Sequence, residues 1–465
     1  MGVRVSFVFT LVAASLAFVA GCRAPHSSDL FWQIPEGRRV LAGMIPHDVP
    51  WALGAPAWTD HEWLFEALAA WCYDHHVFAL LVVLCALAAA GAPLLAYAAA
   101  RDLGYDWAST SFAVLLICAS TAVSWSERPQ NFVLLAFLAQ LWLLWRGAQR
   151  PLVMLPLACV WSNLHASGVL APAVCVLFAV AYALAGGMRD VRVRRCAAAA
   201  RAALAGTFVT PNGAGLWSYA FASLADRNHS HRYIAEWQPL LNDGVPKPVM
   251  VWLLLLAVVL AGAIARRRSD LAPALVGVVF LVLPLVHARF ILFAAAASLP
   301  LIAGSLRALA GAQPDGREPV LSRATLALPV VGALAGIWIA LTSPALGSDP
   351  VDADAAALLT RHHVSGRIFA EYTAAAYLAA FVALPVQVMV DSHGDPFGAR
   401  EWDDEYTLEH GFAGWDAALR RHGIDTVVLP ADHPLIPALQ SSPYWTSEDR
   451  TARVRLFLRR LMGPV

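Results

Sequence analysis

Four cationic side chains of this sequence occur at the ends of long apolar segments. They are Arg128, His165, His287 and Arg289. Ionisable residues near a membrane interior are costly and are usually kept for function. Each could reach the membrane surface along its own apolar stem, but all four fall on one predicted side of the membrane. Together they are suited to holding an anionic lipid phosphate.

A long acidic segment, residues 21–76, lies on that same predicted side. It contains Asp29, Glu62 and a neighbouring His61. A carboxylate beside phosphate-binding cations is available as a general base. We therefore predict an outward-facing polar cavity that combines carboxylates with cationic groups.

The histidines of the sequence have no strong metal-ligand spacing. The close pairs are His61/Glu62, His75/His76 and His229/His231. None of them forms an H-E-x-x-H motif, so no required metal is predicted. A loosely bound divalent cation at Asp29 or Glu62 stays open. G-x-S-x-G, P-loop and G-x-G-x-x-G motifs are absent, so the sequence carries no signal for a serine hydrolase or a nucleotide-binding enzyme.

Apolar segments of membrane-spanning length must position these residues. The 465 residues are 59% hydrophobic and 14% charged, against about 25% charged in soluble domains. The formal net charge is zero, which argues against nucleic acid as a partner. We predict a polytopic α-helical membrane protein with about 11 transmembrane helices. The predicted spans are 5–20, 77–100, 108–125, 131–146, 151–164, 168–186, 197–210, 249–265, 271–286, 290–305 and 324–342.

The arginines predict how the spans are oriented. The basic clusters are Arg189, Arg192, Arg194 and Arg195, then Arg266–Arg268, with Arg101, Arg146 and Arg150 in earlier loops. Short cytoplasmic loops collect such residues. All of them share one side only if 151–186 crosses the membrane twice, and one long tilted helix is the alternative. The prediction is a multi-pass cell-membrane protein with a cytoplasmic N-terminus and an extracytoplasmic C-terminal part.

The first apolar run ends in Gly21-Cys22, which resembles a bacterial lipoprotein signal. A lipidated Cys22 would remove the first span. We favour an ordinary first membrane helix, because ten further predicted spans leave little need for a lipid anchor.

Residues 343–465 show a different pattern. Strand-like runs at 367–370, 386–390, 426–429 and 454–458 alternate with helical patterns near 352–363, 373–383, 412–422 and 433–441. We therefore divide the chain into a transmembrane domain, 1–342, and a small extracytoplasmic α/β domain, 343–465, with a mainly parallel sheet. The segment 391–395 follows a strand, where α/β folds place functional loops, although a plain polar turn is the favoured interpretation.

Several short motifs resemble one group of proteins in their order. They are Asp29-Leu30-Phe31-Trp32, His61-Glu62-Trp63-Leu64, Arg128-Pro129-Gln130, Trp161-Ser162-Asn163-Leu164-His165, Ile234-Ala235-Glu236-Trp237-Gln238-Pro239 and His287-Ala288-Arg289-Phe290. The group consists of largely uncharacterised bacterial membrane proteins related to the GT-C class of glycosyltransferases, which includes protein mannosyltransferases. The resemblance covers nearly the whole chain.

The resemblance implies a GT-C-like fold and a membrane glycosyltransferase. Its partners would be a polyprenyl-phosphate-linked sugar donor, the lipid bilayer and an extracytoplasmic acceptor. An acid early in the first outer loop acts as general base in GT-C enzymes, and Asp29 matches it, with Glu62 and His61 as further catalytic candidates. The implied substrate-binding residues are Arg128, Gln130, Asn163, His165, Glu236, His287 and Arg289.

The sequence departs from the group at a few positions. Phe31 and Gln33 stand where a Trp and a His are usual, and Asp391-Ser392-His393 replaces the usual Asp-Gly-Arg. Two alternatives therefore stay open beside the transferase: a flippase for a lipid-linked glycan, and a catalytically inactive scaffold of envelope assembly. A transporter would favour internal repeats and mid-span polar residues, and the sequence shows neither.

Overall fold

The structure, a computed structural model, describes residues 2–23, 27–225, 230–241, 252–256, 258–259, 271–309, 318–343, 346–347, 349–382 and 385–460. Most of the predicted span 249–265, the cluster Arg266–Arg268 and His229 lie outside the described residues. The first ten helices are α1 (Val5–Arg23), α2 (Leu30–Leu41), α3 (Trp63–Asp74), α4 (Phe78–Asp102), α5 (Trp107–Thr121), α6 (Gln130–Trp145), α7 (Pro151–Leu164), α8 (Leu170–Gly186), α9 (Val191–Thr207) and α10 (Gly215–Leu224).

The later helices follow in two groups. Those before the C-terminal sheet are α11 (Leu271–Val282), α12 (Ile291–Ala297), α13 (Leu299–Leu309) and α14 (Ala327–Thr342). Those around the sheet are α15 (Pro350–Arg361), α16 (Tyr372–Phe381), α17 (Ala399–Glu409), α18 (Trp415–Arg421) and α19 (Ile436–Ser441). A short antiparallel ladder pairs β1 (Val3–Arg4) with β2 (Val320–Leu321).

Four helical segments among the described residues are long and apolar enough to cross a membrane. They are Val5–Arg23, Phe78–Asp102, Ala166–Gly186 and Arg323–Thr342, and the pair 288–297 and 299–309, bent by 60°, would make a fifth if it forms one broken span. The predicted spans 108–125, 131–146, 151–164 and 271–286 correspond to shorter apolar helices. The predicted span 197–210 falls on α9, which begins with an arginine-rich turn and is not one of these apolar helices. The apolar helices support a membrane location, while the number of spans and the orientation stay predictions.

The run 151–186 consists of two helices rather than one. Helix α7 ends at Leu164 because His165 is extended, with φ −170° and ψ 146°. A 3-10 turn, Ala166–Val169, then leads into α8. Gly168 packs closely in this turn, since a Cβ there would lie 2.3 Å from the Ser162 hydroxyl oxygen. The alternative of one long helix over 151–186 is therefore excluded.

Helices α2 and α3 pack against each other in the acidic segment, residues 21–76. Gly37 allows this close approach, because a Cβ on Gly37 would lie 2.0 Å from the Glu66 carbonyl oxygen and 2.9 Å from Ala70 Cβ. Asp29 precedes α2 and Glu62 precedes α3 as the N-cap residue. The packing of the two helices thus sets the separation of these two carboxylates.

The C-terminal part contains a five-stranded mixed sheet in the order β4-β3-β5-β7-β6. The strands are β3 (Gly366–Phe369), β4 (Val386–Val388), β5 (Thr426–Pro430), β6 (Trp445–Arg450) and β7 (Val454–Arg459). The first three pair in parallel, but β7 is antiparallel to both β5 and β6. The sheet is therefore mixed, and the expectation of a mainly parallel sheet is wrong. Strands β6 and β7 pair antiparallel because the turn between them is too short for a parallel crossover.

The acidic segment and the C-terminal sheet share one hydrophobic core. Leu30, Trp32 and Trp58 belong to the same buried cluster as Phe369 and Trp402. The backbone of residue 51 accepts a hydrogen bond from Val388 N at 3.0 Å, and Leu53 N donates to the Val388 carbonyl at 2.8 Å. The segment therefore continues the edge of the sheet, which brings the loop after β4 next to α2.

Candidate functional site

A cavity of about 670 Å³ opens between α2, the turns before α3 and α6, the α7–α8 break and α10. Eight of the predicted site residues line it: Asp29, His61, Glu62, Arg128, Gln130, His165, Glu236 and Arg289. They come from six separate turns or helix ends, where side chains can converge without interrupting the apolar helices. The structure thus brings most of the predicted set into one chamber.

One wall of the cavity is a chain of alternating charges. Arg128 Nη2 lies 2.9 Å from Asp29 Oδ2, and Arg128 Nη1 lies 3.4 Å from Glu236 Oε2. Arg289 Nη1 is farther from Glu236 Oε1, at 3.8 Å, and its guanidinium carbon lies 4.1 Å from the centre of the Trp237 ring. Arg128 is therefore held between two carboxylates, whereas Arg289 is the more weakly paired cation.

The two carboxylates of this wall differ in proton affinity. Burial raises the pKa of Asp29 above its usual range, although Arg128 opposes this change. Burial also acts on Glu236, but the charges of Arg128 and Arg289 outweigh it and lower the pKa of Glu236 to about 2. Glu236 is therefore a fixed anion near neutral pH, and Asp29 is the carboxylate able to exchange a proton.

Glu62 forms the second wall with three donors around it. Gln33 Nε2 donates to Glu62 Oε2 at 2.8 Å. His61 Nε2 and His165 Nε2 lie 3.5 Å and 3.3 Å from Glu62 Oε1. Although burial opposes it, the hydrogen bond from His61 lowers the pKa of Glu62 to about 2. Glu62 is thus an ionised anchor and a poor base.

The two histidines around Glu62 have opposite protonation preferences. Burial lowers the pKa of His165 to about 3 despite the Glu62 charge. Burial also acts against protonation of His61, yet its hydrogen bond to Glu62 raises the pKa of His61. The second wall therefore contains one carboxylate, one ring that favours the charged form and one neutral ring.

His61, Glu62 and His165 also offer three possible metal ligand atoms within 4.8 Å of one another. The backbone N–H of Ser167 donates to His165 Nδ1 at 3.0 Å. The neutral ring must then carry its proton on Nε2, the atom that faces Glu62, and a protonated nitrogen cannot bind a metal. The hydrogen bonds of this cluster favour a donor role for His165, and a cation at Glu62 would have to replace them.

Two predicted residues do not line the cavity. Asn163 Oδ1 accepts from Trp63 Nε1 at 2.8 Å, and its Nδ2 donates to the Cys159 and Val209 carbonyls, both at 2.7 Å. Its polar atoms are therefore engaged between helices. His287 Nδ1 contacts the Trp237 carbonyl, and its ring packs at 5.3 Å against the Trp237 ring. Both side chains support the cavity wall from behind.

The structure adds cavity residues that the sequence did not single out. Tyr219 of α10 stacks on His61 with ring centres 4.3 Å apart, and its hydroxyl donates to Asp395. Tyr372 and the loop after β4 also line the cavity. This loop includes the segment 391–395, which its position after a strand marks in the sequence but which we interpreted as a plain polar turn. Tyr219 lies in a helix with no motif of its own, so the sequence gives no signal for it.

Comparisons with known proteins support the fold. The chain matches no protein-family model and no curated protein sequence. It is similar to the cryo-EM structure of the arabinofuranosyltransferase AftD from Mycobacteria, with a TM-score of 0.56 and 16% sequence identity. The match covers 98% of this chain and 42% of that one, so this chain corresponds to less than half of AftD. The likeness shows a fold shared with that protein.

Proposed function

We propose that this protein is a membrane glycosyltransferase of GT-C type. It would move a sugar from a polyprenyl-phosphate donor to an extracytoplasmic acceptor of the cell envelope. The observation that carries the proposal is one cavity that contains Asp29, a carboxylate of raised pKa paired with Arg128, together with the more weakly paired Arg289. The shared fold with a named glycosyltransferase supports it.

Arg289 is the best candidate for holding the donor phosphate. Its one carboxylate neighbour among the described residues, Glu236, is 3.8 Å away, so a phosphate oxygen can compete for it. A guanidinium binds phosphate through two parallel hydrogen bonds. The aromatic face of Trp237 supports the guanidinium from the other side. Arg128, paired with Asp29 and Glu236, would serve mainly to position these two carboxylates.

The reaction we infer is an inverting transfer with Asp29 as base. The acceptor hydroxyl gives its proton to Asp29 while its oxygen attacks the anomeric carbon of the donor sugar. The bond from that carbon to the phosphate oxygen breaks, and the polyprenyl phosphate leaves with the electron pair. Arg289 would stabilise the charge that develops on the phosphate. Glu62, ionised and held by three donors, would keep His61 and His165 in place.

The experiment is a transfer assay on the full chain in lipid nanodiscs, with a panel of labelled polyprenyl-phosphate sugars and envelope acceptors. We expect Asp29→Asn to lower transfer by about 10²- to 10⁴-fold, the usual contribution of a general base. Asp74→Asn is the matched control, because Asp74 pairs with Arg38 at 2.6 Å on the exposed end of α3. Undiminished transfer by Asp29→Asn would exclude Asp29 as the base, and absence of transfer by the unaltered chain across the panel would exclude the proposed activity.

A further inference from the structure

A second cavity of about 390 Å³ lies beside the first, along the neighbouring face of α10. Residues 215, 218, 219, 222 and 223 of this helix line it, spaced as one helical face. Tyr219, Ser223 and Asp395 line both cavities. Helix α10 and the loop after β4 therefore form a partition between two adjoining chambers.

The second cavity differs from the first in charge. Hydroxyl groups line it from three sides, through Thr59, Ser218, Ser223 and Ser230. Trp58 supplies an aromatic surface and Asp395 a carboxylate. None of the described residues that line it is Lys or Arg, whereas Arg128 and Arg289 line the first cavity. Among its described lining residues a phosphate-bearing ligand would find no Lys or Arg, only the imidazole of His231. A neutral ligand rich in hydroxyl groups would find several hydrogen-bond partners.

Tyr219 lies between the two cavities, because it lines both of them. Its hydroxyl lies 3.3 Å from His61 Nε2 and donates to Asp395 Oδ2. A sugar hydroxyl that donates to Asp395 would take over the role of the Tyr219 hydroxyl, since both are neutral O–H donors. Release of Tyr219 would then connect the ligand with the cavity that contains Asp29 and Arg289.

We propose that the second cavity binds a neutral saccharide, which is the acceptor of the transfer. Asp395 accepts a hydrogen bond from this saccharide, and the saccharide displaces the Tyr219 side chain that separates the two cavities. The assignment of this saccharide as the acceptor rests on the proposed function, whereas saccharide binding itself does not depend on it. The acceptor class is thereby a glycan rather than a protein side chain or a lipid phosphate.

The test separates saccharide binding from transfer. Binding of neutral trisaccharides of glucose, galactose, mannose or arabinose to the full chain in nanodiscs is measured by saturation-transfer difference NMR. Ser218→Trp fills the second cavity from an exposed position of α10, and we expect it to weaken binding at least tenfold. Phe221→Trp is the matched control, because Phe221 lies on the same helix, is 61% exposed and lines neither cavity.

Asp395→Asn provides a second variant that leaves the cavity open. We expect it to raise the KM for the acceptor while binding of the labelled polyprenyl-phosphate sugar stays unchanged. Equal saccharide binding by Ser218→Trp and Phe221→Trp, or no binding of any trisaccharide to the unaltered chain, overturns the inference. Donor transfer that is insensitive to Ser218→Trp overturns it while leaving the proposed function intact. Saccharide binding without any donor transfer supports the site and excludes the proposed activity.

Discussion

Gly37 controls the spacing of the two helices that follow Asp29 and Glu62. A Cβ at this position would lie 2.0 Å from the Glu66 carbonyl oxygen, whereas ordinary contact begins near 3.4 Å. Because the obstacle is helix backbone, it cannot rotate away. Helices α2 and α3 must separate by more than about 1 Å to accept a methyl group. Gly37→Ala therefore displaces Asp29 relative to Glu62 while leaving both side chains unaltered.

The size of the effect follows from the displacement. Overpacking of this kind costs about 1–3 kcal/mol in the free energy of unfolding. A displacement of about 1 Å between reacting groups can lower a rate by about 100-fold. We therefore expect Gly37→Ala to stay folded with a modestly lower unfolding temperature, and to lose about 100-fold in sugar transfer.

The assay compares transfer rates and thermal unfolding for Gly37→Ala and Gly187→Ala. Gly187 follows α8 with a φ of +83° and has open space around a would-be Cβ, so an alanine there is strained by about 1–3 kcal/mol without pushing on a neighbour. The two variants should be similarly destabilised, and only Gly37→Ala should lose transfer. A wild-type rate for Gly37→Ala, or an equal loss for Gly187→Ala, would refute the reasoning.

Three further predictions concern Glu36, Trp51 and Arg289. Burial raises the pKa of Glu36 from 4.5 to about 8. Between these two values the folded chain holds a proton that the unfolded chain has released, so the free energy of unfolding decreases as pH rises through this window. Glu36→Gln should make this pH dependence weaker, as measured by denaturant unfolding at several pH values. Trp51→Phe removes a 2.7 Å hydrogen bond to the buried Asp391 and should lower the free energy of unfolding by about 1.5–3 kcal/mol. Trp71→Phe, at an exposed site, should lower it little, and equal losses in the two variants would contradict the prediction. Arg289→Gln should weaken binding of the labelled donor by roughly 10- to 100-fold, and unchanged binding would remove Arg289 as the phosphate ligand.

Much of the helical framework could be predicted from the sequence because each apolar run is a local signal. The convergence of Asp29, Arg128, His165 and Arg289 followed from the ends of those runs. The strand β6 could not be found this way, because its sequence is polar and only Trp445 is fully buried along it. Helix α17 was missed for a similar reason, since its acidic sequence lacks a strong apolar stripe.

Other features depend on contacts between distant parts of the chain. Asn163 was predicted to bind substrate, but its amide is engaged by Trp63 and by the Val209 carbonyl, 46 residues away. Gln33 is one of the departures from the group that the sequence resembles. Its side-chain amide donates a hydrogen bond to the buried Glu62, a structural role that the residue type alone does not reveal. Such pairings depend on tertiary packing and leave no periodic trace in the sequence.

The contact between Trp51 and Asp391 joins residues 340 positions apart. During synthesis the acidic segment is therefore made long before the strand and loop that complete its core. Until the sheet residues of this cluster are made, the apolar surface around Leu30 and Trp58 lacks part of its cover, and transiently exposed apolar surface is prone to aggregation. The cavity walls contributed by residues 372–395 are missing from every nascent chain that has not yet reached them, so the site cannot be complete until this late segment has been synthesised.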